Sequence, residues 1–275
     1  MNRLELDPNA SPRAAFGAEL RAAREEMGLT QEQLGVRLEY SSTHVSAVET
    51  GRKPPTPKFA RRADQVFDSG TKFVDMFWDI RRTSLLQGFP DYLAHEARAV
   101  EFRLFELGII PGLLQTPEYA AAITTGAVRR GSITQDQASE RLAFLAERQA
   151  RLTRHPAPLI HAVLDESCLH RVVGGRAVMA AQLDSLQAFA ELPNTVFQVA
   201  PYEMGEARSF DLPINLLTLP DHSVAAYSES AQQGHLERDP DAVRPLLTAY
   251  HQLQVEALSQ AASVALLRKV REEFL

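Results

Sequence analysis

The chain has 275 residues, 45% of them hydrophobic and 23% charged, with a formal net charge of −6; that length and composition predict about two globular domains rather than a disordered chain. Cys168 is the only cysteine, which excludes an internal disulfide or a multi-cysteine zinc or iron–sulfur site and fits a reducing, cytoplasmic setting. No run approaches the ~18 apolar residues of a membrane span, and the opening MNRLELDPNASPRAAF lacks the apolar centre expected of a signal peptide.

Residues 1–11 read as a polar, flexible arm. A helix is predicted from Pro12 to Met27, with Phe16, Leu20, Ala23 and Met27 as its apolar stripe and Gly28 as its stop. Thr30 and Gln33 form a capping box that opens a second helix carrying Leu34 and Leu38, with Gly35 small where the chain packs closely. Glu39-Tyr40-Ser41 is a tight turn, and Ser41 is a good N-cap for a third helix from Ser42 to about Thr50. Val45 and Val48 of that helix face inward, and Gly51 ends it. The window 40–62 holds Arg52, Lys53, Lys58, Arg61 and Arg62 against the single acid Glu49, a local basic patch where phosphates would lie. Pro54-Pro55-Thr56-Pro57 is a stiff connector to a fourth helix at about 58–67. The amphipathic stretch 71–88, with Phe73, Phe77, Ile80 and Leu85 as its apolar residues, is expected to be a linker helix at 69–88 that packs between the domains, with covering of the small N-terminal domain or a dimer seam as the alternatives.

The segment LTQEQLGVRLEYSSTHVSAVETGRKPPTP resembles the helix-turn-helix of XRE/Cro-type repressors over roughly residues 12–68. The resemblance implies DNA binding. It puts Gln31 against the DNA backbone or bracing the recognition helix, and Ser42, Thr43, His44 and Ala47, with Ser46 beside them, at base edges. Thr50 and Arg52 fall at backbone-contacting positions, and the charge of Lys53, like that of Arg52, is expected to contact phosphate. Glu39 departs from the pattern, because that turn usually holds Gly. A left-handed non-Gly residue costs about 1–2 kcal/mol.

From residue 89 the pattern changes. Val100, Phe102 and Leu104 alternate with charged residues, a strand signal. Thr116 caps a helix with Pro117 in its first turn, and Thr134 with Gln137 caps another running to about Arg154. Leu159–Leu164 is a strand, Gly174-Gly175 a turn, and Val178–Leu192 a helix. Thr195–Ala200, Ile214–Leu219 and Val224–Ser228 are strands, and helices at about 240–258 and 259–273 close the chain. The expected whole is an all-α helix-turn-helix domain followed, over 89–275, by an α+β domain: a mostly antiparallel sheet with helices against one face. IPGLLQTPEYA, VLDESCLHRVVGG and AAQLDSLQAFAELPNTVFQVAPYEMG resemble, in order, the C-terminal domain of a group of actinomycete regulators described as antitoxin-like, of the Scr family. That resemblance implies a small partner protein encoded beside the regulator.

No catalytic constellation emerges. Cys168 and His170 are two apart, so they point away from each other on a strand or a helix. The histidines lack ligand spacing, and Gly174-Gly175 lacks a phosphate-loop pattern. Arg141, Arg148, Arg151 and Arg154, interleaved with Glu140 and Glu147, read as a solvated face. No cofactor, metal or enzymatic activity is expected. The expected function is a sequence-specific DNA-binding regulator, homodimeric on an inverted repeat, whose C-terminal domain binds a small protein. The alternative is a small-molecule sensor with its pocket in that domain.

Overall fold

The computed structural model describes residues 7–8, 10–82, 88–230 and 233–275. Two compact units divide between residues 86 and 87, each with its own core.

The N-terminal unit contains α1 (Pro12–Glu26), α2 (Gln31–Leu38), α3 (Ser42–Glu49), α4 (Pro57–Phe67) and α5 (Lys72–Arg82). Ser11, Thr30, Ser41 and Thr56 cap the first four. Each side-chain oxygen accepts from the backbone N–H three residues on, satisfying an otherwise orphaned donor. The expected arm lies mostly outside the described residues, and its last residue, Ser11, is the cap of α1. Phe16, Leu20, Leu34, Leu38, Val45, Val48 and Phe59 form the core. Met27, expected in the stripe, is 44% exposed, because the helix has ended before it. Phe73, Phe77 and Ile80 of α5 are buried in the same core, Phe73 edge-on to Phe16 at 5.4 Å. Asp64 of α4 fixes this packing: its buried carboxylate accepts from the N–H groups of Phe73 and Val74 at 2.8 and 3.0 Å, a charge well placed at a helix N-terminus. Residues 72–82 are thus built into this unit. Leu85, expected on the same face, lies outside the described residues.

The C-terminal unit opens with α6 (Phe89–Glu96) and is built on six strands: β1 (Glu101–Glu106), β2 (Leu159–Asp165), β3 (Thr195–Ala200), β4 (Ile214–Thr218), β5 (Val224–Glu229) and β6 (Gly234–Glu237). Their order is β3-β2-β1-β4-β5-β6. The three pairs involving β4, β5 and β6 are antiparallel, whereas β1–β2 and β2–β3 are parallel. The helices are α7 (Pro117–Arg129), α8 (Gln135–Ala150), α9 (Ser167–His170), α10 (Arg176–Ala190), α11 (Pro240–Glu256) and α12 (Gln260–Glu272).

The sheet is therefore mixed, and helices cover both of its faces rather than one. On one face Ala162, Leu164, Phe197 and Val199 meet Leu183 and Leu186 of α10 and Leu267 and Val270 of α12. On the other, Phe105, Val163, Leu216 and Ala226 meet Val243, Tyr250 and Leu253 of α11. Ala162-Val163-Leu164 is buried without a break. Such a run marks a strand covered on both sides, as parallel strands are. The outer edge of β3 is closed as well: Ser263 and Gln260 of α12 accept from the N–H groups of Val199 and Phe197 at 2.9 and 3.2 Å. Phe274, near the chain end, packs against this core. Among the described residues no helix is long and apolar enough to cross a membrane.

Candidate nucleic-acid interface

The start of α3 is the exposed end of the N-terminal unit's motif. Ser42 and Thr43 are exposed, and Ser46 and Ala47 are half-buried one turn on. Two close approaches position this helix. A Cβ on Gly17 would lie 2.7 Å from the Val48 carbonyl oxygen, so α1 rests directly on the end of α3. One on Gly35 would lie 2.6 Å from the Tyr40 carbonyl oxygen, where the turn folds back on α2. Glu39 occupies the left-handed region (φ 60°, ψ 43°). Its carboxylate pairs with Arg62 at 2.5 Å; an exposed pair of this kind is worth about 0.2–1 kcal/mol, partly offsetting the strain.

Below the helix lies a buried polar knot. The Glu49 carboxylate, fully buried, accepts from Arg24 Nε at 2.5 Å, Arg24 Nη2 at 3.1 Å and Gln31 Nε2 at 2.7 Å. Arg24 also donates to the Leu29 carbonyl oxygen at 2.9 Å. Its pKa is raised, first by the hydrogen bond to Glu49. Gln31 therefore engages the recognition helix from beneath. On the far side Thr50 Oγ1 donates to the Ser46 carbonyl oxygen at 2.6 Å and accepts from Arg52 Nε at 3.0 Å. Arg52 and Lys53 are exposed beside the end of α3.

His44 is placed differently from the expectation. Its ring stacks on Phe59 at 5.6 Å and lies 4.7 Å from Tyr40, and Nε2 is buried without a hydrogen bond among the described residues. Burial, then the nearby charge of Lys53, lowers its pKa, so the ring is neutral at pH 7. The third position of α3 thus turns the ring toward α4, although His44 stays half-buried, as Ser46 and Ala47 are.

A family profile described as a helix-turn-helix domain matches residues 15–71, the hallmark of a DNA-binding regulator. A second, described as a domain of unknown function (DUF5753), matches residues 89–269. The chain belongs to the DUF5753 family. No curated protein and no solved structure matches it significantly.

The DUF5753 domain holds a cleft of about 560 Å³ over the β1-β4-β5 part of the sheet. Leu104, Asn215 and Tyr227 form one cross-strand row of its floor, and Glu106, Pro213 and Glu229 line it one step further along the same strands. Phe89 and Tyr92 of α6 and Arg141 and Arg148 of α8 complete the wall. Tyr92 stacks on Tyr227 at 4.2 Å, and Tyr227 Oη donates to Glu229 Oε1 at 2.8 Å. A Cβ on Gly234 would fall 2.1 Å from that phenol oxygen, so only glycine leaves the ring its place. Tyr92 is 1% exposed, and its hydroxyl is buried beside Glu96 and Arg148. Burial, then the charge of Glu229, pushes the Glu106 carboxyl up to about 7, against a lowering hydrogen bond from the Leu107 N–H.

Of the arginines expected as a solvated face, Arg141 is exposed, whereas Arg148 and Arg154 of this DUF5753 domain turn inward. Arg148 grips Glu96 of α6 with Nε and Nη2 at 2.8 and 2.6 Å and lies over the Phe89 and Phe144 rings at 5.3 and 5.9 Å. Arg154, just beyond α8, donates to the carbonyl oxygens of Ala97 and Ala99. Their acceptors lie on and after α6, a helix of eight residues with Pro in its first turn that periodicity alone does not announce. The Cys168–His170 cluster offers no nucleophile. Cys168 Sγ is buried against the Glu106 carbonyl oxygen at 3.4 Å, burial drives its thiol pKa upward, and His170 turns to Glu166. Among the described residues no group of three or more His, Cys, Asp or Glu is placed to hold a metal ion.

Proposed function

We propose that the protein is a sequence-specific transcriptional regulator that reads an operator with α3 and takes its signal in the DUF5753 domain. The observation that carries this reading is the exposed start of α3 beside Arg52 and Lys53, on a unit matching a helix-turn-helix family. Ser42, Thr43, Ser46 and Ala47 face the major groove, Arg52 and Lys53 meet phosphate, Thr50 steers Arg52, and Gln31 braces α3 through Glu49. His44 shapes the helix from inside. Thr43→Ala is expected to weaken operator binding by about 1–3 kcal/mol and relax one base pair. Neutralising Arg52 or Lys53 is expected to weaken all sequences alike and flatten the salt dependence. Binding isotherms at several salt concentrations, on an operator selected from random DNA, check both. Unchanged affinity in Thr43→Ala overturns the groove assignment.

One such module makes few base contacts, so the active species is a homodimer on an inverted repeat with half-site centres about 34–36 Å apart or a multiple of that. Light scattering that finds only monomer, on and off DNA, rules this out. The resemblance to antitoxin-like Scr regulators supports a small protein, encoded alongside, as the signal bound by residues 89–275. Calorimetric titration of the full chain with that neighbour tests the pairing, and linkage requires DNA to alter partner affinity by the same factor. A second reading, a small-molecule sensor, is favoured by the cleft of about 560 Å³, a size typical of ligand sites.

A further inference from the structure

The cleft combines carboxylates and aromatic faces, a pairing that discriminates among ligands by charge. We propose that it binds a small organic cation, an amine with a flat apolar body, whose positive group sits between Glu106 and Glu229 while its body lies against Phe89 and Ile109. The proposal rests on the sensor reading of the DUF5753 domain.

Three observations carry it. The two carboxylates line one wall, on strands separated only by β4. With strands ~4.8 Å apart they stand roughly 10 Å apart at the backbone, a span that an ammonium group between them bridges by hydrogen bonds. Phe89, half-buried, and Ile109, 39% exposed, offer apolar surface beside them, against which a flat body removes its own apolar area from water. The basic residues of the wall do not reverse the sign. Arg148 is committed to Glu96 through two hydrogen bonds, which leaves Arg141, at the exposed rim, as the other basic lining residue. An anion entering here would meet the Glu229 carboxylate, and Glu106 once ionised, with only that rim charge to favour it.

The proton balance follows from the groups around Glu106. Glu229 and Tyr227 of β5, Tyr92 of α6, Arg141 and Arg148 of α8, Tyr119 of α7, Cys168 of α9 and Arg171 just after it lie around its strand end. Burial and the Glu229 charge hold a proton on Glu106 to about pH 7, and an arriving cation replaces that proton. Affinity should therefore rise with pH, by about tenfold between pH 6 and pH 8, because the ionised fraction of Glu106 rises by about that factor.

The test is isothermal titration of the full chain, without DNA, with three probes of one shape: tyramine, 4-ethylphenol and 4-hydroxyphenylacetate. Tyramine is expected to bind saturably, one per chain, at least about tenfold tighter than the neutral and anionic probes. The advantage should shrink toward pH 6 and be lost in Glu106→Gln or Glu229→Gln with melting temperature unchanged. Glu229 is exposed, so its variant keeps the test alive if the other fails to fold. The proposal is overturned if 4-hydroxyphenylacetate binds as tightly, if tyramine gives no saturable heat up to about 10 mM, or if both variants bind like the parent. Because no DNA is present, failure here leaves operator recognition standing, and loss of operator binding leaves this site standing.

Discussion

Glu49→Ala is expected to cost the N-terminal unit about 3–5 kcal/mol, the range for breaking a buried ion pair from one side. The substitution leaves the Arg24 guanidinium, 9% exposed, with the Leu29 carbonyl as its main remaining acceptor, and Gln31 loses the contact that reaches α3. Since whole domains are stable by only about 5–15 kcal/mol, little of this unit's stability should survive. Chemical denaturation followed by circular dichroism should show an early transition for this unit, and operator binding should vanish at temperatures where the parent binds. Removing both charges, as in Arg24→Met with Glu49→Leu, should restore much of the fold, because two apolar groups owe no desolvation. If Glu49→Ala alone melts like the parent, the knot is not what seats the recognition helix.

Arg148→Met is expected to be comparably severe in the C-terminal unit, again about 3–5 kcal/mol. Glu96, 4% exposed, would keep a buried carboxylate with neither of its guanidinium hydrogen bonds, and Phe89 would lose its cationic neighbour. The sign of the pH effect distinguishes this cause from simple loss of packing. An unpaired buried carboxyl takes up its proton more readily folded than unfolded, so the variant should recover stability as pH falls and lose it as pH rises. Adding Glu96→Gln should remove both the pH dependence and most of the loss. Melting curves from pH 5 to pH 8 decide the matter; a deficit constant across that range argues against the ion pair as its origin.

What was legible in the sequence was what the chain settles locally. Thr30 with Gln33 and Thr134 with Gln137 announce helix starts through contacts three residues apart, and both boxes are present. The fit of Ser41 before α3 and of Pro117 after Thr116 has the same origin. The alternation around Phe102 and Leu104 and the run at Thr195–Ala200 locate strands because side chains there must choose a face. The remainder depends on partners distant in sequence. Arg24 meets Glu49, and Arg148 meets Glu96, only after folding. His44 looks outward on a helical wheel until α4 arrives with Phe59. Glu106 and Glu229 share a cleft only because β4 lies between their strands. Helix α6 and strand β6 are too short, and too mixed in composition, to carry a period. The covering of both sheet faces was written in Ala162-Val163-Leu164, whose unbroken apolar run leaves no side for water.

The position of β1 in the sheet also sets an order of events during synthesis. This strand is central, and its antiparallel partner is β4, with Glu101 opposite Thr218. The N-terminal unit, by contrast, packs helices close together in sequence, the arrangement that folds fastest. Chains emerge and fold from the N-terminus at about 5–20 residues per second. The helix-turn-helix can therefore be finished while β1 still waits, one edge unpaired, for more than a hundred residues to follow. In each newly made copy, the helix-turn-helix unit is complete before the DUF5753 domain can close its sheet.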